Sequence, residues 1–209
     1  MSRPAEKPRT VAIVDDDDLV RETVRLSLEH AGFTASVIED PTVAHAREEG
    51  AEDGSERAGV GELDDLHSGN AAYHADIFAV NVISLLNTIL PFMPQMIRQK
   101  SGQLVAIASV AGFRALPGST TYAATKVAVR ALMEGYGWEL RRHGIATTTI
   151  NPGFVVSEMT APNQFHMPFL VPTDIAAGKI ARAIRRRRRS YTFPWPMACL
   201  AHLDRKSVV

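Results

Sequence analysis

The chain has 209 residues, 45% of them apolar, no formal net charge and one cysteine, Cys199. This suits one substantial globular α/β domain. It excludes an internal disulfide and fits a reducing compartment. The neutral total hides an asymmetry: residues 1–65 hold 17 Asp and Glu against 7 Lys and Arg, and residues 66–209 hold 6 against 16. Such a split points to two segments of different origin or role. The seven histidines are scattered and no Cys/His group has ligand spacing, so no metal site is expected. The opening MSRPAEKPRT has no apolar signal core. Apolar stretches are too short or too interrupted to span a bilayer. A cytoplasmic location is therefore expected.

Thr10 to Val14 is a short β-branched strand, followed by Asp15–Asp18. A periodic segment, Leu19 to His30, carries Leu19, Val20, Val24, Leu26 and Leu28 and ends before Gly32. Phe33 to Ile38 is a second strand, completing a β–α–β unit. Glu48 to Asn70 is polar and acidic and reads as a linker. Asp76 to Arg98 is a long, mostly apolar helix with Asn81 inside it, kinked or restarted at Pro91 and Pro94. Asparagine has poor propensity in a helix interior, so a specific role for Asn81 is favoured. Gly102 is expected to close this helix.

Leu104 to Ala108 is a continuous apolar run that suits a parallel strand buried on both faces. It ends in Ser109, at the strand end where open α/β sheets place ligands. A helix then runs from Thr121 to Arg142, with Gly144 beyond it as a favourable C-terminal residue. Tyr122 and Lys126 lie four apart, so both side chains leave one helical face. A free phenol, with a pKa of about 10, is a poor base at neutral pH. A nearby ammonium favours the phenolate and lowers that value. A serine hydroxyl can hold a carbonyl or alcohol oxygen while the tyrosine moves the proton.

Ile145 to Ile150 is the next strand, followed by the turn Asn151 to Ser157. Glu158 to Pro172 carries apolar Phe165, Met167, Phe169 and Leu170. Thr173 or Asp174 then caps a helix ending in Arg185–Arg189. That run reads as a solvated basic helix end, because it sits at a helix C-terminus and has no interleaved aromatics. No nucleic-acid partner is expected from it. Tyr191 to Leu203 forms a final strand and closing segment.

Ser109, Tyr122 and Lys126 together resemble the site of the short-chain dehydrogenase/reductase family, with the resemblance running from about residue 58 to 203. It implies a Rossmann-like three-layer sandwich with a mainly parallel sheet, incomplete if the family's opening strands are lost. By this resemblance Tyr122 is the general acid/base, Lys126 tunes it and binds the nicotinamide ribose, Ser109 orients the substrate oxygen, and Asn81 supports a proton relay. Pro152, Gly153 and Ser157 match the turn that covers the nicotinamide, with Ser157 at its threonine position. The resemblance further implies NAD(P) as cofactor, a small carbonyl or alcohol substrate, a mobile lid over residues 158–172, and a homodimer or tetramer packing the Asn81 and Tyr122 helices.

Two features depart from that pattern. The opening β–α–β unit, about residues 9–48, resembles the start of a response-regulator receiver domain, with Asp15 and Asp16 matching its Mg²⁺-binding acidic pair; helix-dipole stabilisation is the favoured reading of those acids. The glycine-rich TGxxxGxG turn that receives a cofactor pyrophosphate is absent. Residues 57–60, Arg-Ala-Gly-Val, stand as a remnant of the family's Asn-Asn-Ala-Gly turn. The expected organisation is a receiver-like segment over 1–48, an acidic linker over 49–70 and a dehydrogenase catalytic half over 71–209. Three functions follow: a short-chain oxidoreductase, a non-catalytic chimaeric or truncated form without a working dinucleotide site, and a receiver-like signalling module.

Overall fold

The computed structural model describes residues 10–13, 25, 26, 29, 34–37, 69–115, 117–156, 160 and 167–203. Five strands form one parallel sheet: β1 (Thr10–Ile13), β2 (Thr34–Val37), β3 (Gly102–Ile107), β4 (Ile145–Pro152) and β5 (Ser190–Phe193), in the order β2-β1-β3-β4-β5. The chain direction across the sheet reverses between β1 and β3. This is a doubly wound order, in which the crevice at the strand C-termini beside that reversal is the ligand position. Ala12 pairs with Leu104, which sets β1 directly beside the strand leading to Ser109.

From Leu104 onward β3 is apolar because both its faces are covered. Val105 and Ile107 face one side, packing with Ile150, Ile180, Ile184 and Phe193. Leu104, Ala106 and Ala108 face the other, with Leu85, Ile89, Val129, Met133 and Leu140. The first layer is closed by a helix over Thr173–Arg185. The second is closed by the helical run Ala71–Gln99 and by a helix over Thr120–Leu140. The sheet with helices on both faces is the open α/β architecture expected from the sequence.

The run Ala71–Gln99 comprises α1 (Ala71–Phe78), a π turn (Ala79–Ile83), α2 (Ser84–Ile89), a 3₁₀ turn (Leu90–Phe92) and α3 (Met93–Gln99). Pro91 and Pro94 are absorbed by the tighter 3₁₀ turn and the start of α3, where a missing N–H matters least. The prolines therefore bend the run without ending it. By length and composition alone it is long enough and apolar enough to cross a membrane. Here Ile77, Leu85 and Ile89 are buried in the protein core.

Residue-level differences from the sequence reading have local causes. Lys100, at φ 50, takes the left-handed position after α3. Gly102 instead begins β3, where a Cβ would stand 2.8 Å from the Met96 sulfur. Neither Thr173 nor Asp174 caps the next helix, α5 (Thr173–Arg185). Pro172 holds that place, and the Thr173 hydroxyl donates to the Val156 carbonyl. Leu26, one of the apolar residues of the periodic segment Leu19 to His30, is exposed. Other expectations hold: α4 (Thr120–Leu140) runs into a 3₁₀ turn, Arg141–His143, and Gly144 closes it at φ 73. The last strand leads into α6 (Trp195–Leu203).

Candidate active site

Ser109 follows β3 in fully extended geometry, φ −161 and ψ 161. Its Oγ accepts the Ala111 N–H at 3.1 Å, capping a 3₁₀ turn over Val110–Gly112. That bond uses the oxygen as acceptor and leaves the hydroxyl proton for a second oxygen. The turn packs hard against α4. A Cβ on Gly112 would stand 2.9 Å from both the carbonyl carbon and the oxygen of Lys126. Only hydrogen fits there, so Ser109 is held close to the Lys126 turn of the helix. Arg130 fastens the same contact: its guanidinium donates to the Gly112 carbonyl and lies 3.6 Å from the Phe113 ring centroid.

On α4, Lys126 is buried, and its Nζ lies 5.2 Å from the Tyr122 ring centroid. The i, i+4 spacing has thus brought the ammonium and the aromatic ring to one place, as the sequence predicts. A buried ammonium is tolerated only with polar or anionic company, and the Tyr122 ring is among its neighbours.

Asn81 enters from the other helix of this layer. It lies inside the π turn, a widening of the helix that recurs at functional sites. The asparagine is buried, and its Nδ2 donates to Thr125 Oγ1 at 3.1 Å. Thr125 Oγ1 in turn donates to the Tyr122 carbonyl at 2.6 Å. Asn81 Oδ1 is buried with no hydrogen-bond partner among the described residues. A buried acceptor in that state suits a water or cation shared with a neighbouring donor. Thr125 is a residue the sequence reading passed over. Its signal was its place three residues after Tyr122, on a helix face where a threonine hydroxyl can reach back to a carbonyl. His74 was missed as well; its Nδ1 hydrogen-bonds Thr121 Oγ1 at 2.7 Å, immediately before Tyr122.

The turn after β4 forms a further wall. Gly153 N–H donates to the Phe193 carbonyl at 2.7 Å, and a Gly153 Cβ would stand 3.1 Å from Pro194 Cδ. Pro152 and Gly153 are therefore pinned to the start of α6. Beyond them Val156 N–H donates to the Val171 carbonyl, and Val171 N–H donates to the Phe154 carbonyl. These bonds close the base of the segment expected to be a lid. Of its apolar residues, Phe169 and Leu170 are exposed. Ser157, Phe165, Asp15–Asp18 and the Arg57–Val60 remnant lie outside the described residues. Among the described residues no group of three or more His, Cys, Asp and Glu is placed to hold a metal.

Residues 56–167 match the short chain dehydrogenase family. An uncharacterized oxidoreductase of Myxococcus xanthus is 41% identical over 122 residues, 58% of this chain and 48% of its own length. Another, from Staphylococcus aureus, is 41% identical over 98 residues, 46% of this chain and 42% of its own. The chain thus spans about half the length of the curated relatives it matches. Among solved structures, a short chain dehydrogenase from Burkholderia cenocepacia in complex with NADP superposes with a TM-score of 0.74 at 17% identity, covering 96% of this chain and 95% of that one. A short-chain dehydrogenase from Sphingobium yanoikuyae in complex with NADPH gives 0.68 at 17% identity, covering 96% of each. At such identities these structures speak for the fold.

Proposed function

The chain belongs to the short chain dehydrogenase family, and from that premise we propose that it is an oxidoreductase moving a hydride between NAD(P) and a small carbonyl or alcohol substrate. The observation that carries the reading is the buried Lys126 ammonium, 5.2 Å from the Tyr122 ring centroid, on the helix turn against which the Ser109 turn is packed.

In this reading Ser109 donates its hydroxyl proton to the substrate oxygen. Tyr122 transfers a proton to that oxygen in reduction and accepts it in oxidation. Lys126 stabilises the phenolate left behind. Asn81, with its uncommitted buried Oδ1, anchors the path that returns the proton from solvent. These polar groups suit the nicotinamide half of the cofactor: Lys126 would hold the ribose, with Tyr122, Pro152, Gly153 and Ser157 around the ring. Bound NAD(P) would supply or accept the hydride. Phe78, Ile83 and Leu90, exposed on the Asn81 run, offer apolar surface to a second copy, in keeping with a homodimer or tetramer.

A second reading, a family member without a working dinucleotide site, is favoured by one observation. β1 pairs directly with β3, the strand that leads to Ser109, and in the sequence Asp15–Asp18 follow β1 where the family has glycines. A phosphate charge about 6 Å from one carboxylate is repelled by roughly 3 kcal/mol at an effective dielectric of about 20. That is on the order of a hundredfold in affinity before salt screening. Fluorescence titration of NADPH and NADH separates the two readings. The enzyme reading expects weak binding, through the nicotinamide half, that tightens when Asp15–Asp18 are changed to Asn. The absence of binding in both wild type and variant supports the non-catalytic reading. Micromolar binding indifferent to the substitutions contradicts the placement of the acidic turn at the pyrophosphate.

A further inference from the structure

Seven arginines, Arg141, Arg142 and Arg185–Arg189, are exposed at the N-terminal ends of β4 and β5. This is the opposite edge of the sheet from Ser109 and Pro152. In sequence the run Arg185–Arg189 has no aromatic interleaved. In space it has two. Trp138, 63% exposed near the end of α4, has two guanidinium groups near its ring, with Arg141 Cζ and Arg189 Cζ each 5.7 Å from its centroid. Arg188 Cζ lies 5.3 Å from the centroid of Tyr191, the second residue of β5. We propose that this face binds single-stranded nucleic acid, with the Trp138 ring as a base-stacking platform and the flanking arginines on the phosphates.

The arrangement is built into the fold. α4 approaches β4 so closely beside Trp138 that a Cβ on Gly137 would stand 2.6 Å from Thr147 Oγ1. Arg189 is held to the same strand by its carbonyl, which accepts the Thr149 N–H at 2.9 Å. Trp138 and Arg189 are thus both registered on β4. Arg187 sits at φ 48, turning the chain sharply between α5 and β5 and spreading its arginines over one edge. No described carboxylate pairs with any of the seven, although Glu139 neighbours Trp138 in sequence.

Charge complementarity requires a polyanion, and the exposed ring selects among polyanions. A base offers a π-face to stack on indole while its phosphate meets the adjacent guanidinium, the pairing that single-strand binders use. Insertion into a membrane draws on several apolar side chains, and among the described residues Trp138 is the large exposed apolar residue flanked by these arginines. A second copy docking by two-fold symmetry would set this cationic cluster against itself.

The test is fluorescence anisotropy with labelled oligothymidylate and oligouridylate of about 20 nucleotides, titrated with the full chain. Binding is expected at about 50 mM salt, and contacts to four phosphates would make it about fifty-fold weaker at 200 mM. Trp138→Leu keeps an apolar side chain but removes the π-face; it should weaken binding roughly 5- to 150-fold, the range for losing one stacked base. Trp138→Phe should retain most of the affinity. Arg188→Gln/Arg189→Gln should flatten the salt dependence. Thermal unfolding of each variant checks that the surface alone has changed. Absence of binding at low salt, or equal binding by Trp138→Leu, overturns the proposal. So does preferential binding to phosphatidylserine vesicles that oligonucleotide does not displace, which would assign the face to membranes.

Discussion

Gly112→Ala tests the contact that sets the candidate site. The new methyl would fall 2.9 Å from the Lys126 carbonyl carbon and oxygen, and 3.1 Å from Arg130 Cδ. The arginine can move aside, but the Lys126 backbone belongs to a helix buried against the sheet through Val129 and Met133. Relief must come from the Ser109 turn lifting away from α4. Overpacking of this kind costs about 1–3 kcal/mol. For a domain of this size that lowers Tm by roughly 2–12 °C. A displacement of about 1 Å between catalytic groups costs on the order of a hundredfold in rate, so turnover should fall further than stability alone explains. Gly135→Ala is the matched control. It lies on the same helix, and nothing stands within 4 Å of its added Cβ. Alanine there gains about 1 kcal/mol of helix propensity and should raise Tm by roughly 2–4 °C with turnover unchanged. Differential scanning calorimetry and cofactor-coupled turnover read both variants. If Gly112→Ala melts and turns over like Gly135→Ala, the turn is not the clamp inferred from the geometry.

Asn81→Ala should lower turnover and alter its pH profile while reducing stability by only about 1 kcal/mol, because one of its polar atoms makes no protein bond; a loss of stability without loss of turnover would make Asn81 purely structural. Gln103→Leu removes the Nε2 that donates to Thr148 Oγ1 at 2.9 Å and to the Ile184 carbonyl at 3.0 Å. The Ile184 carbonyl keeps the Arg187 N–H at 2.9 Å, but the buried Thr148 hydroxyl loses its side-chain donor, which should cost about 1–3 kcal/mol, and an unchanged melt would contradict that. Incubation with a small phosphodonor and Mg²⁺ should leave the intact mass unchanged, because no phosphoacceptor aspartate with receiver context is identifiable in the sequence; a stoichiometric acid-labile adduct would restore the receiver reading.

The site was legible where its chemistry is local. Tyr122 and Lys126 share a helix, and Ser109 ends an apolar strand; short spacings and a 3.6-residue period place them. The Asn81–Thr125 and His74–Thr121 pairings were not legible, because the partners lie 44 and 47 residues apart on different helices. The Trp138–Arg189 contact joins residues 51 apart in the sequence. The run Arg185–Arg189 by itself holds no aromatic and reads as a solvated helix end. The π turn at Asn81 is invisible to propensity, which registers only that asparagine is a poor helix former. The sheet order, too, follows from packing: β1 meets β3 because no strand among the described residues stands between them.

The most direct measurement is the oxidation of reduced nicotinamide cofactor by the full chain over a panel of small ketones and aldehydes, run beside Tyr122→Phe. The substitution keeps the ring beside Lys126 and deletes one proton donor. Turnover by the wild type, falling about 10²- to 10⁴-fold in Tyr122→Phe, is the predicted result. Turnover that Tyr122→Phe retains in full would contradict the assignment of Tyr122 as the acid/base and, with it, the proposed reaction.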